Sequence, residues 1–174
     1  MNLTEQLSAA HSRANANLIL EYVLADKRRV PELLAVFRDG ELRIAQRAAM
    51  VVGDLGRKRP DWYLPHHEEL IAEADRYRHP AMPRNVMRYF SELPLAKVKE
   101  AHQGPLLDVA FRLTEDQEVP VGIRVFAMTI VYHFCEQYPE LKDELRGIIE
   151  LTIEEGTTPG FRSRGNKILR WLGR

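Results

Sequence analysis

Apolar residues recur along this chain at the three-to-four-residue spacing of helices, and prolines and glycines interrupt that spacing at intervals that repeat. Pro31, Pro65, Pro105 and Pro139 head the segments "PELLAVFRD", "PHHEELIAEADRY", "PLLDVAFRLTED" and "PELKDELRGIIELTIEE". Proline suits the first position of a helix, where its missing N–H has no partner to lose. The pattern therefore predicts four helices whose starts lie 34, 40 and 34 residues apart.

A second helix is predicted after each of these, carrying an arginine near its start: Arg47, Arg84, Arg124 and Arg164, spaced 37, 40 and 40 residues apart. In three of them a proline shortly precedes the arginine, as in "HPAMPR", "VPVGIR" and "TPGFRSR", and marks where the preceding arm must stop. The first unit uses Gly40 in "RDGELR" instead. Ile44, Ala48, Val51, Val52 and Leu55 form one apolar stripe, as do Phe161, Ile168, Leu169 and Leu172. "VGIRVFAMTIVYHFCEQY" is apolar almost all round, the pattern of a helix covered on several sides and so the centre of a core.

Helical hairpins that cannot bury their own faces, repeated at a period near 40, define an all-α solenoid in which neighbours stack into one core. No segment reads as a strand. The units run approximately over 31–60, 65–94, 105–138 and 139–174, with 1–29 as an N-terminal cap, in a single domain over 1–174. The stretch "PELLAVFRDGELRIAQRAAMVVGDLG" resembles a HEAT repeat: an apolar first helix, an acidic turn, then an arginine, small apolar residues and a Leu-Gly ending. The resemblance runs from Val30 to Arg174; later units lack the Ala48–Ala49 pair and insert residues around Leu95 to Gln103. It implies a HEAT-like α-α superhelix.

The whole chain is also similar to a group of small bacterial HEAT-like proteins, some of which carry the name adenylosuccinate lyase. The lyase family has a flexible loop resembling S-S-x-M-P-x-K-x-N. The nearest stretch here, "AMPRN" at 81–85, lacks the serines and the lysine, so lyase activity is not expected.

Composition narrows the remaining classes. Lys plus Arg equals Asp plus Glu at 25 each, so no global field draws in nucleic acid or an anionic membrane, and an electrostatic partner must be met by a local patch. The single Cys135 lies in an apolar run, where a buried free thiol suits a reducing cytoplasm. No apolar run approaches the roughly 20 residues needed to span a bilayer, and the N-terminus lacks a secretory pattern.

The histidine-rich stretch "PHHEELI" is read as a solvated helix start, with Glu68 and Glu69 meeting the positive end of the helix dipole. A zincin needs two histidines four apart, whereas His66 and His67 are adjacent and point about 100° apart. The basic cluster of "GRKRPDW" sits at the negative end of a helix, its favoured place. His11, His79 and His102 are isolated at predicted helix ends, and the ten glycines read as breaks rather than a phosphate cradle. No nucleophile–base pair or paired carboxylates stand out, so neither catalysis nor a cofactor or metal is expected.

The arginine series has two readings. Asp39 precedes Arg47 by eight residues and Asp116 precedes Arg124 by eight, a spacing that suits a ladder of buried arginines held by carboxylate or carbonyl acceptors. In HEAT-like arrays, however, second helices line the concave side. Arg84, Arg88, Arg124, Arg164, Lys167 and Arg170, with Thr129 and His133 as the polar stripe of the central helix, are then candidate binding residues. "GFRSRGNKILRWLGR" adds five basic residues and no acidic one, although the preceding helix holds six acids and two bases that can pair with it. The HEAT-like DNA glycosylases grip duplex backbone with such a face. The expected function is a non-catalytic module for protein–protein binding, the alternative being nucleic-acid backbone binding; Trp171 at the edge of its apolar face is compatible with a homodimer.

Overall fold

The computed structural model describes residues 1–173, which form ten α-helices and no strand. They fall into two compact units, Met1–Tyr89 and the remainder from Phe90 onward.

In the first unit, α1 (Leu3–Ala9) and α2 (Arg13–Leu24) begin at side-chain caps. Asn2 Oδ1 accepts from the Glu5 N–H and Ser12 Oγ from the Asn15 N–H. Each satisfies a donor that the first turn of a helix leaves unpaired. The hairpin of α3 (Val30–Asp39) and α4 (Leu42–Lys58) follows, and α4 packs on α1, α2 and α3. That position explains its stripe: Ile44, Ala45, Ala48, Ala49, Val51, Val52 and Leu55 are all buried. Each Val, Leu or Ile so buried stabilises the unit by roughly 1.5–3 kcal/mol.

The break after α4 differs from expectation. Residues Pro60–His66 coil as a 3₁₀ helix with Pro65 inside it, and α5 (His67–Arg76) starts two residues later than the proline suggests. Tyr63 fixes this segment, being fully buried with its hydroxyl donating to the Val52 carbonyl at 2.8 Å. Pro105 likewise opens nothing: α7 (Glu100–Glu115) has already run one turn before it. The N–H that proline lacks would have met the carbonyl of Ala101, which belongs to an exposed residue in the first turn. The residues around Leu95–Gln103 are a short 3₁₀ turn, Leu95–Lys97, and the first turn of α7. Pro139 precedes α9 (Leu141–Glu155) by two residues.

Not every glycine is a break. Gly53 and Gly56 lie inside α4, and a Cβ on either would collide: with Asn85 Oδ1 at 2.2 Å for Gly53, with Tyr89 Cδ2 at 2.9 Å and Tyr63 Cε2 at 3.0 Å for Gly56. The Leu-Gly ending of this repeat is thus a packing notch for α6 (Ala81–Glu92), the helix that carries Asn85 and Tyr89.

In the second unit α8 (Val121–Gln137) packs against α7, α9 and α10 (Pro159–Leu172), the central position its all-round apolar sequence predicts. Ile123, Ala127, Met128, Ile130, Val131, Phe134 and Cys135 are buried on it. Gly156, in the left-handed region at φ 99°, turns the chain from α9 into α10, whose first turn is capped by Thr158 accepting from the Phe161 N–H.

Candidate functional site

Two of the four arginines of the series, Arg47 and Arg124, are helix caps. Arg47 donates from Nη1 to the carbonyls of Leu7 at 2.6 Å and Ser8 at 3.1 Å, in the last turn of α1. Arg124 donates from Nε to the Thr114 carbonyl at 3.0 Å, in the last turn of α7. Such carbonyls have no partner within their helix and sit at the negative end of its dipole, so a buried guanidinium suits them twice over. The predicted aspartate partners are engaged elsewhere. Asp39 pairs with Arg38 at 2.6 Å, and Asp116 accepts from the Glu118 N–H at 2.9 Å, reaching Arg124 only through its field. Two further caps escaped the sequence reading: Arg29 on the Tyr22 carbonyl closing α2, and Arg78 on the carbonyls of Arg38 and Gly40 closing α3.

Among the candidate binding residues, Arg124 and Thr129 are buried and serve packing rather than an open surface. Arg88, His133 and Arg164 are half-buried, whereas Arg84, Lys167 and Arg170 are exposed. Arg84 and Arg88 belong to the first unit, the other six to the second.

The second unit brings most of its six to the seam between α8 and α10. An open apolar groove of about 310 Å³ begins there, lined by Val121, Gly122, Val125, Gly160, Ser163 and Arg164. One turn on, Arg164 Nη1 donates to Thr129 Oγ1 at 3.0 Å, and that hydroxyl in turn donates to the Val125 carbonyl. Beyond it the Tyr132 and Trp171 rings lie 5.0 Å apart, Lys167 Nζ stands 4.8 Å over Trp171, and the His133 ring is 6.0 Å from Tyr132. Burial holds the His133 imidazole below its ordinary pKa, partly offset by the charge of Glu136. The seam therefore presents an apolar groove leading to a cationic, aromatic end. Among the described residues, no acid of α9 pairs with a base of α10; Glu155 instead accepts from Gln117 at 2.7 Å.

The histidine stretch is a structural joint. His66 Nδ1 meets Glu69 Oε1 at 2.5 Å. His67, expected in solvent, is fully buried, with Nε2 2.9 Å from the Tyr89 hydroxyl. Since that hydroxyl donates its one proton to the Pro60 carbonyl at 3.0 Å, His67 must donate from Nε2. Among the described residues no three His, Cys, Asp or Glu side chains converge as metal ligands. The basic cluster beside it is also engaged: Arg57 with Asp54 at 3.2 Å, Lys58 with Glu21 at 3.6 Å, and Arg59 5.9 Å over Trp62.

Residues 3–172 match the family model of the HEAT repeat domain. The chain belongs to the HEAT repeat family. The match takes in α1 and α2, so the family region begins well before Val30, where the resemblance in the sequence starts. No curated protein and no solved structure matches the chain. HEAT repeat domains are in general protein-interaction scaffolds. No helix among the described residues of this HEAT repeat protein is long and apolar enough to cross a membrane. Its "AMPRN" stretch is the start of α6 rather than a loop: Met82 is fully buried and Asn85 Nδ2 donates to the Ala81 carbonyl at 2.8 Å.

Proposed function

We propose that this HEAT repeat protein is a non-catalytic interaction module of the cytoplasm that binds an acidic segment of a partner protein along the α8–α10 seam. The observation that carries the reading is the groove between α8 and α10, with the Lys167–Trp171 contact further along α10 and the bases of α10 unpaired to the acids of α9. An apolar groove seats a partner's side chains, while Arg164, Lys167 and Arg170 draw in carboxylates and set register more than affinity. Trp171 and Tyr132 supply the aromatic surface that dominates binding energy where a patch is desolvated. The buried Cys135 thiol suits a reducing compartment.

The test is capture of partners by the tagged wild-type protein and by a Lys167→Glu/Arg170→Glu variant from native extract, with nuclease treatment and at two salt concentrations. A discrete protein retained by the wild type after nuclease and lost by the variant supports the reading. A protein retained equally by both rejects the α10 seam as its site.

A second reading, nucleic-acid backbone binding, draws on the same observation, because a run of bases with stacking aromatics also suits single strands. It predicts duplex or single-stranded binding that weakens steeply with salt. Sedimentation of the purified protein separates both from self-association through Trp171.

A further inference from the structure

A second cavity, of about 340 Å³, lies at the same end of α8 as the seam groove, between the turn entering α8 and the turn entering α10. Arg124 forms part of its lining together with Val121, Thr152, Thr157 and Phe161, and Glu118 stands at its rim. Arg124 is only 5% exposed, yet no carboxylate bonds to it. Its Nε caps α7, and one Nη2 proton reaches Thr152 Oγ1 at a long 3.4 Å. The Arg124 Cζ lies 4.3 Å from the centre of the Phe161 ring, and neither of the two hydrogen bonds of the guanidinium uses Nη1. A cation this buried has lost much of its water and gained no directly bonded carboxylate, only the field of Asp116, and that is costly. The side of the guanidinium that its partners leave open belongs to a residue that walls the cavity.

Three features define what would complete it. The open Nη1 group and the spare Nη2 proton offer the parallel donors that match a carboxylate. The cavity sits where α8 begins, and the Val121 N–H, unpaired in the first turn of that helix, adds a donor and the positive end of its dipole. Val119, Val121 and Phe161 supply apolar wall. Against these, Glu118 at the rim and Asp116 and Glu155 nearby disfavour a multiply charged anion such as phosphate. The volume lies at the low end for ligand pockets.

We propose that this cavity is a binding site for a small aliphatic carboxylate, held by the guanidinium of Arg124 with its chain against Val121 and Phe161. The site shares only Val121 with the lining of the seam groove and stands whether or not that reading holds.

The test is an amide NMR titration of the whole protein with butyrate, with butyramide as its uncharged counterpart and inorganic phosphate as the competing anion, all at constant ionic strength. Butyrate is expected to give saturable shifts at Glu118, Thr152, Thr157 and Thr158 that butyramide does not. Glu118→Gln removes an exposed charge without touching the core and should tighten butyrate roughly threefold. Arg124→Gln should abolish the shifts; where that variant loses its fold, Glu118→Gln decides. Equal shifts with butyramide, stronger binding of phosphate, or no saturable shift in either wild type or Glu118→Gln would each overturn the proposal.

Discussion

Arg47 Nη1 lies 2.6 Å from the carbonyl of Leu7, forty residues earlier, and Arg78 Nη1 lies 2.5 Å from the carbonyl of Arg38, again forty residues earlier. One sequence period thus separates each arginine from the helix end it closes. The repeat is tied together here by cation-to-carbonyl caps, which need no acidic partner and leave the turn aspartates to local pairs.

Replacing Arg47 by Met keeps most of the stem and removes the fork, leaving the Leu7 and Ser8 carbonyls without their donor. The expected cost is about 2 kcal/mol, the size of hydrogen bonds to a charged group. Arg43→Met, on the exposed side of the same helix, should change stability by less than about 0.5 kcal/mol. Urea unfolding of the two variants checks the contrast; equal midpoints would show that the cap contributes nothing.

Glycine-to-alanine changes inside helices should have opposite signs at two positions. Gly147 in α9 has nothing within 4 Å of an added Cβ, so Gly147→Ala should gain up to about 1 kcal/mol from helix propensity. Gly56→Ala drives a methyl group into the rings of Tyr89 and Tyr63, which are themselves packed edge-on at 5.3 Å, and should lose about 1–3 kcal/mol. Thermal unfolding of both proteins decides it: a stabilised Gly56→Ala variant would mean that the Tyr63–Tyr89 contact yields freely.

These cases also separate what was legible in the sequence from what was not. The helix count of each hairpin, the central place of α8 and the arginine at the head of each second helix follow from periodicity, because burying an apolar stripe requires that spacing. Helix starts were less legible where a proline sits in a 3₁₀ turn (Pro65) or beyond an exposed first turn (Pro105), since proline, though favoured at the first helical position, is not confined to it. Gly53 and Gly56 look like breaks until the residues of α6 that fill their notches are known. The caps by Arg29 and Arg78 carry no local signal, because a carbonyl acceptor is present at every residue. At the candidate seam, the grouping of Arg164, Thr129, Lys167 and Trp171 depends on α8 and α10 lying side by side, which spacing within either helix cannot reveal.

Cys135 is fully buried, and burial pushes its thiol up to about 11, so little thiolate exists at neutral pH. The native protein should react with a maleimide or disulfide reagent at pH 8 only as fast as it opens, and rapidly once unfolded in urea. Stoichiometric labelling of the native protein within seconds would contradict the packing of α8.

His133 gives the stability of the second unit a dependence on mild acid. Its folded pKa is held below the ordinary 6.5 by burial next to Tyr132, with the exposed Glu136 carboxylate opposing the shift. Above pH 6.5 the imidazole is neutral in both the folded and the unfolded chain, and its contribution is fully present. As the pH falls below 6.5 the unfolded chain takes up the proton first, so stability drops until the folded pKa is passed and then levels off. Comparing urea midpoints at pH 7.5 and 5.5 should therefore show a smaller loss for His133→Gln than for the wild type. Identical losses would mean that the ring reaches water freely and titrates as it does in the unfolded chain.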